Sequence, residues 1–311
     1  MEDLAPIVLF VYNRPKHTRQ TLESLRRNLL SGKSELFVFS DASRNEQEMN
    51  KVLEVREILE NIEGFKKVTV IKAENNKGLA NSVISGITEI INNYGKVIVL
   101  EDDLVTSPYF LKYMNEALNF YEKDMNIWSI SGYTPNIKIP EGYTDEVYLS
   151  LRGCSWGWAT WKHQWNLVDW NIPDYNSFKQ NNKQRKNFNM GGNDLSFMLD
   201  DQMAGRINSW AIRWVYSQRI HSKYTIYPVN SLVSNIGLDF SGTHSTNSDK
   251  YKTKEIYHEN IKLTNDIRVN QEILREFRSF YNLNLKGYIG VFARRTGTYK
   301  YLRKIMKKLA R

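Results

Sequence analysis

The sequence predicts an α/β protein in which helices flank a mostly parallel central sheet. Apolar runs and amphipathic helical segments alternate four times within the first hundred residues, with short links between them, as in parallel βαβ units. The runs are continuous in apolar residues, which is typical of strands buried on both faces. Each run ends in polar residues. Since the carboxyl ends of parallel strands meet at one edge of a sheet, a ligand site is expected there.

The order of elements follows from the apolar runs and the helical stripes. The predicted strands comprise residues 6–12, 36–39, 68–71, 97–100, 127–133 and 147–150, the last of them at a sheet edge. The first predicted helix is capped by Thr18 and has Leu22, Leu25 and Leu29 on its inward face. The other predicted helices comprise about residues 47–61, 79–92, 109–123, 194–206 and 256–281. Residues 171–193 are expected to form a polar excursion, and the pattern of 207–217 suits either a helix or a strand.

The composition excludes several classes of protein. The single cysteine, Cys154, excludes an intrachain disulfide framework and a cysteine-rich zinc site. No signal peptide is visible, and no apolar run approaches the roughly 18 residues of a membrane span, so a cytoplasmic location is expected. The net charge of +9 is concentrated in residues 294–311, which carry eight Lys and Arg residues and no acid. Nucleic-acid binding is not expected, because its basic residues would be spread over the folded body among aromatics.

Three carboxylates follow the fourth predicted strand directly: Glu101, Asp102 and Asp103. Adjacent acids repel one another, so this arrangement is costly unless cations or hydrogen-bond donors meet them. A solvated acidic loop is the alternative interpretation. The polar ends of the other strands, at residues 13–14, 41 and 75–77, converge on the same edge and favour a site.

Phosphate-binding glycine motifs are missing from the sequence. Neither a Walker-type loop nor a Gly-x-Gly-x-x-Gly fingerprint occurs, which argues against P-loop ATPases and Rossmann dehydrogenases. A divalent cation on the acids could hold phosphates instead, and Arg14 or Lys77 could add positive charge.

With these residues in place, the chain resembles nucleotide-sugar glycosyltransferases of the GT-A fold, which have a Rossmann-like sheet. The resemblance covers roughly residues 5–245 and is strongest to two groups. One includes the Golgi N-acetylglucosaminyltransferase that starts complex N-glycans, and the other comprises bacterial transferases for surface polysaccharides. The ordered motifs that carry it are the acid triplet, the helix after Pro108, Gly157-Trp158, Asp201, residues 235–237 and His244.

The resemblance implies roles in donor binding. The triplet corresponds to the family's DxD motif, so Asp103 would bind Mn²⁺ or Mg²⁺ directly, while Glu101 and Asp102 would contact the donor sugar or ribose. The residues implied in holding the nucleotide are Arg14, Asp41, Asn76, Lys77 and Gly78.

It also implies a catalytic base and an aromatic wall. Asp201 matches the base, although a shift of one residue would give that role to Asp200, and Asp194 is a further candidate. Trp158 matches the wall between donor sugar and acceptor, with Trp156 beside it. Tryptophan at this density could equally be core.

Three positions stay open between binding and structural roles. His244 either ligates the metal or the diphosphate, or is a structural hydrogen-bonding residue. Asp41 either grips the ribose or caps a turn. Cys154 is expected to be a small buried residue.

The end of the chain differs from the rest. We expect a catalytic domain over residues 1–250, with a nucleotide-sugar half (1–135) and an acceptor half (136–250), followed by a helical, basic segment over 251–311. Residues 294–311 could lie on an anionic membrane surface, at the inner face of the cell membrane, or pack as a solvated terminal helix.

The resulting expectation is a metal-dependent, inverting glycosyltransferase. It would move a sugar, an N-acetylhexosamine or a hexose, from a nucleoside diphosphate (UDP favoured) to a hydroxyl of a bacterial surface glycan, free or lipid-linked, as for capsule or lipopolysaccharide. The alternatives are a sugar-phosphate nucleotidyltransferase and a non-catalytic glycan-binding protein.

Overall fold

One eight-stranded sheet forms the centre of the protein, with strand order β3-β2-β1-β4-β8-β6-β9-β7. The computed structural model describes residues 4–238, 249–253, 257 and 259–298. Two features predicted from the sequence, His244 and most of the basic segment (299–311), lie outside these ranges. The strands are β1 (Ile7–Val11), β2 (Glu35–Ser40), β3 (Lys67–Lys72), β4 (Lys96–Glu101), β5 (Leu104–Thr106), β6 (Ile127–Ser131), β7 (Val147–Ser150), β8 (Trp158–Trp161), β9 (Tyr224–Pro228) and β10 (Val233–Asn235).

Helices cover both faces of the sheet. They are α1 (Pro15–Arg26), α2 (Glu46–Ile58), α3 (Leu79–Tyr94), α4 (Phe110–Phe120), α5 (Lys162–Trp165), α6 (Tyr175–Gln180), α7 (Asn182–Phe188), α8 (Leu195–Met203), α9 (Trp210–Ile220), α10 (Gln271–Tyr281) and α11 (Leu285–Arg295). None of the helices in the described ranges combines the length and the apolar composition that a membrane span requires.

The first four large strands are parallel, as predicted, and bury both faces. Successive residues of β1 point to opposite sides, so Leu9 packs in the core under α1 and α4, whereas Val8 packs in the core under α3. The pairing of β1 with β2 and β4 is parallel throughout. This arrangement brings the carboxyl ends of β1, β2 and β4 to one edge.

Two antiparallel strands interrupt the second half of the sheet. The strand β8 lies between β4 and β6 and runs antiparallel to both. The strand β7 pairs antiparallel with β9 and ends the sheet, which agrees with its prediction as an edge strand. The mostly parallel α/β fold predicted from the sequence is therefore confirmed.

Three local predictions were wrong. The first helix begins at Pro15, which suits the first helical position, so the Thr18 hydroxyl bonds the carbonyl of Arg14 inside the helix and does not cap it. Residues 171–193 form α6 and α7, whose Phe178 and Phe188 are buried. The helix predicted over 256–281 covers only α10, because Asn270 caps it through the amides of residues 272 and 273.

Candidate active site

A cleft of about 330 Å³ opens at the carboxyl ends of β1, β2 and β4. Its floor comes from the last residues of these strands, and its far wall comes from the chain entering α9 and the chain leaving β10. Most of the predicted donor-binding residues line it: Arg14, Asp41, Asn76, Glu101, Asp102 and Asp103. The convergence expected from parallel strand ends is thus present.

Arg14 joins two acids of the triplet. Its guanidinium contacts Asp102 Oδ1, and its Nη1 donates to Asp103 Oδ2 at 2.9 Å. Both carboxylates are buried, so the guanidinium supplies the positive charge that adjacent acids need. Pro15 follows Arg14 and is the first residue of α1, so the start of this helix fixes the backbone position of Arg14.

The electrostatics of the triplet differ from one member to the next. Burial, reinforced by the charges of Asp103 and Asp102, raises the pKa of Glu101 to about 8. Burial also raises the pKa of Asp102, against the opposing charge of Arg14. The two acids raise the pKa of Arg14 despite its own burial. Burial is thus the first cause of the raised pKa values of Glu101 and Asp102, and the neighbouring carboxylates add to it.

The strand β10 closes over the triplet. It pairs antiparallel with β5, directly after the acids, and the amide of Ile236 donates to the Asp103 carbonyl at 2.9 Å. The next residue, Gly237, lies so close that a Cβ there would be 2.1 Å from Asp103 Oδ2 and 2.8 Å from Arg14 Nη1. Only a glycine leaves room for the ion pair beneath it.

Asp41 organises the loop after β3. Its Oδ1 accepts from the amides of Ala42 and Lys77 at 2.9 Å, and its Oδ2 accepts from the Gly78 amide at 2.9 Å and from Asn76 Nδ2 at 3.1 Å. Both oxygens therefore already serve the turn, as one of the two interpretations of Asp41 expected. The Lys77 side chain is exposed and lines a neighbouring cavity instead of the cleft.

The two predicted wall tryptophans have different places. Trp156 lines the cleft, with its ring 4.6 Å from that of Tyr133. Trp158 is fully buried, with ring centroids 5.2 Å from Trp210 and 5.3 Å from Trp214. The prediction that Trp158 lines the site does not hold in this structure, because its position on β8 points the indole into the core.

The three candidate bases, all held by arginines, do not line the cleft formed by the described residues. Asp200 accepts two hydrogen bonds of 2.9 Å from Arg185. The more deeply buried Asp201 accepts from Arg206 Nε at 2.8 Å. Asp194, the third candidate, forms a bidentate pair with Arg152 at 2.7 and 2.9 Å.

The environment of Asp200 favours its ionised form. Burial would raise its pKa, but the hydrogen bonds and charge of Arg185, together with Tyr175 and Arg295, hold the pKa below its ordinary value. A base with a lowered pKa takes up a proton poorly, so this environment disfavours Asp200 as the base.

Several cleft residues were missed by sequence reasoning. Tyr12 follows β1, and its hydroxyl donates to Glu48. Burial, together with that hydrogen bond, raises the pKa of Tyr12 to about 12. The position of Tyr12 at the end of a predicted strand was the feature of the sequence that could have identified it as a cleft residue. Arg44 and the residues 208–211 also line the cleft, and no local pattern marks them.

The residues fit a divalent cation that binds mainly through a ligand's phosphates. Among the described residues, no three His, Cys, Asp or Glu side chains converge as a metal cage. Mg²⁺ and its analogues commonly use one or two carboxylates plus substrate phosphates, and Asp103 at the cleft surface can supply one.

The family model described as glycosyl transferase family 2 matches residues 7–201. The chain belongs to glycosyl transferase family 2. The matched range includes the acid triplet, Trp156, Trp158 and Asp200, and ends at Asp201. The resemblance to a glycosyltransferase family that the sequence carries is thereby confirmed.

The solved structures to which the chain is similar have low sequence identity to it. S. aureus TarS, residues 1–349, is 12% identical, with a TM-score of 0.42, over 73% of this chain and 59% of that one. The chain thus spans about three-fifths of that TarS structure. The mannosyltransferase PcManGT from Pyrobaculum calidifontis is 14% identical, with a TM-score of 0.34, over 52% of this chain and 48% of that one. No curated protein sequence matches the chain.

Proposed function

We propose that the chain is a metal-dependent, inverting glycosyltransferase that uses a nucleoside-diphosphate sugar. The observation that carries this proposal is the acid triplet at the end of β4, which lines the same cleft as Arg14. Family membership supports the class of reaction, and the cleft supports the proposed position of the donor.

The donor's diphosphate would meet Asp103 and Arg14. A bound Mn²⁺ or Mg²⁺ would stabilise the negative charge that develops on the departing nucleoside diphosphate. Asp103 would hold that ion, and Arg14 would contribute its fixed charge to the same phosphates. Glu101 and Asp102 would orient the sugar or ribose, while Asn76 and the backbone of residues 77 and 78 would lie under the nucleotide.

The base would be Asp201. An acceptor hydroxyl is a weak nucleophile, so a carboxylate must take its proton as the hydroxyl attacks the anomeric carbon. Attack opposite the leaving diphosphate inverts that carbon. We assign the role to Asp201 on the position that the resemblance gives it; Arg206 binds Asp201 as Arg185 binds Asp200, so its base function requires that pair to open.

The finer identity of the substrates rests on the resemblance. A UDP-linked N-acetylhexosamine or hexose is the proposed donor, and a hydroxyl of a bacterial surface glycan, free or lipid-linked, is the proposed acceptor. A cytoplasmic enzyme whose residues 294–311 meet the inner face of the membrane would suit such an acceptor. His244 would be an additional ligand of the metal or the diphosphate.

A screen of nucleotide sugars with and without Mn²⁺ tests the donor site. A ligand that binds only the folded state raises the melting temperature, so UDP-sugars should stabilise the protein in the presence of the metal. Asp103→Ala should abolish both this shift and turnover, whereas Asp266→Ala, at an exposed position, should change neither. Metal-independent nucleotide binding by Asp103→Ala would reject the proposed role of Asp103.

The reaction products separate the remaining alternatives. A sugar-phosphate nucleotidyltransferase would release pyrophosphate, whereas a glycosyltransferase releases a nucleoside diphosphate. A non-catalytic glycan-binding protein would release neither. Family membership favours the transferase over both.

A further inference from the structure

The helix α11 presents an apolar face to the solvent. Leu285, Ile289 and Phe292 follow one another at helical spacing and are 76%, 49% and 69% exposed. Of the 13 large apolar side chains that are exposed among the described residues, four belong to this one helix, if Tyr288 at 43% is included. Single exposed apolar residues are common, but a contiguous stripe on one helix indicates an interaction surface.

The same helix is anchored on α8, which carries the two candidate bases. At its start, the Tyr288 hydroxyl accepts from Asn193 Nδ2 at 3.0 Å, and the Tyr288 ring lies edge-on to Phe197. At its end, Arg295 donates to Asp200 at 3.1 Å and to Asp201 at 3.4 Å. These contacts set the orientation of α11 on the body and leave the stripe facing outward.

The sequence from the start of α11 to residue 311 is strongly basic. Residues 285–311 carry nine Lys and Arg residues and no acid. An apolar stripe on a helix combined with basic residues is the composition of segments that lie in the headgroup region of anionic membranes. Each basic residue near such a surface adds attraction, which salt screens.

We propose that α11 docks on an anionic membrane surface through Leu285, Ile289 and Phe292. Binding of a second copy through this face is less compatible with the charges, because the two basic segments would repel each other. Three side chains also fall short of the roughly 800 Å² per partner that a stable protein interface buries. Docking would orient α8 and its acids next to the membrane. Only this consequence, access to a lipid-linked acceptor, rests on the proposed function.

Vesicle flotation of the full chain tests the proposal. The protein should float with phosphatidylcholine vesicles that contain phosphatidylglycerol, and much less with phosphatidylcholine alone or at high salt. The triple variant Leu285→Ser, Ile289→Ser and Phe292→Ser should lose about a thousandfold in vesicle affinity, since each change removes about tenfold. The matched control replaces a Leu, an Ile and a Phe exposed on other elements: Leu29→Ser, Ile220→Ser and Phe120→Ser.

Two further readouts keep the result interpretable. Donor hydrolysis and the melting temperature should be unchanged in the triple variant, so a failure of catalysis is distinguished from a failure of docking. The single variant Phe292→Ser, with an expected loss of about tenfold, replaces the triple if the latter does not fold.

Three outcomes would overturn the proposal. In the first, both triple variants keep vesicle binding or lose it equally. In the second, wild-type protein does not bind anionic vesicles. In the third, wild-type protein is a dimer that the α11 triple dissociates, which would assign the face to a second copy.

Discussion

Replacing Gly237 by alanine tests whether β10 holds the acid triplet in its working geometry. The new Cβ would lie 2.1 Å from Asp103 Oδ2 and 2.9 Å from Asp103 Cγ, with Arg14 Nη1 at 2.8 Å. Ordinary contact needs about 3.4 Å or more, so the carboxylate must move by roughly 1 Å or the turn after β10 must lift. Either movement disturbs the Arg14–Asp103 pair.

The expected losses follow from that displacement. A misplacement of about 1 Å in a catalytic constellation can lower turnover about a hundredfold, and overpacking costs about 1–3 kcal/mol in the free energy of unfolding. Release of nucleoside diphosphate from the donor measures the first quantity, calorimetric titration of the nucleotide with Mn²⁺ measures donor affinity, and urea unfolding measures the second.

Gly32→Ala is the matched control. A Cβ at Gly32 meets nothing within 4 Å, and its φ does not require glycine. The control should therefore keep wild-type turnover, affinity and stability. If Gly237→Ala also keeps turnover and donor affinity within about twofold, the close approach of Gly237 does not position Asp103, and the reasoning is refuted.

Three further predictions concern the acids and the tryptophans. Asp201→Asn should lower turnover by about 10²–10⁴-fold with donor binding intact. Asp200→Asn should mainly lower the free energy of unfolding, by about 2–4 kcal/mol, because it breaks the pair with Arg185. The opposite pattern in turnover and urea unfolding would exchange the roles of the two acids. Because the pKa of Asp200 is lowered on folding, its stabilisation is present above about pH 4 and is lost as the pH falls through its folded pKa, so unfolding followed with pH should be less acid-dependent in Asp200→Asn. Trp158→Ala should cost about 3–5 kcal/mol of stability, while Trp156→Ala should leave the melting temperature nearly unchanged and raise KM, as thermal melts and initial rates would show.

Much of the fold and the floor of the site could be predicted from local patterns. The continuous apolar run before Glu101 requires burial on both faces, and the alternation of strands and helices requires parallel pairing. Together these two rules bring Arg14, Asp41 and Asp103 to one edge, where the structure has them. Polar residues at strand ends were sufficient to predict this part of the site, because the direction of the strands alone decides at which edge of the sheet these residues lie.

Helix ends and segments without clear periodicity were predicted less well. The residues 207–217 suit two kinds of element. The structure resolves 210–217 as part of α9, because Ser209 caps this helix and five of its aromatic and apolar side chains are buried. Arg185 lies in a segment predicted to be a polar excursion, yet α7 delivers it to Asp200. Caps and long-range ion pairs, rather than average polarity, decided these regions.

By itself, therefore, the sequence determined the parallel pairing of the first four large strands and the acid triplet at the edge of their sheet, because these depend on hydrophobic patterns within short segments. Only the tertiary structure decided that Trp156 lines the cleft while Trp158 is buried, since the pairing of β8 chooses which side chains face the core. It also brought Gly237 against Asp103, and Arg295 against Asp200, across 134 and 95 residues of chain. Contacts of that separation depend on how whole elements pack, and no local pattern of residues encodes them.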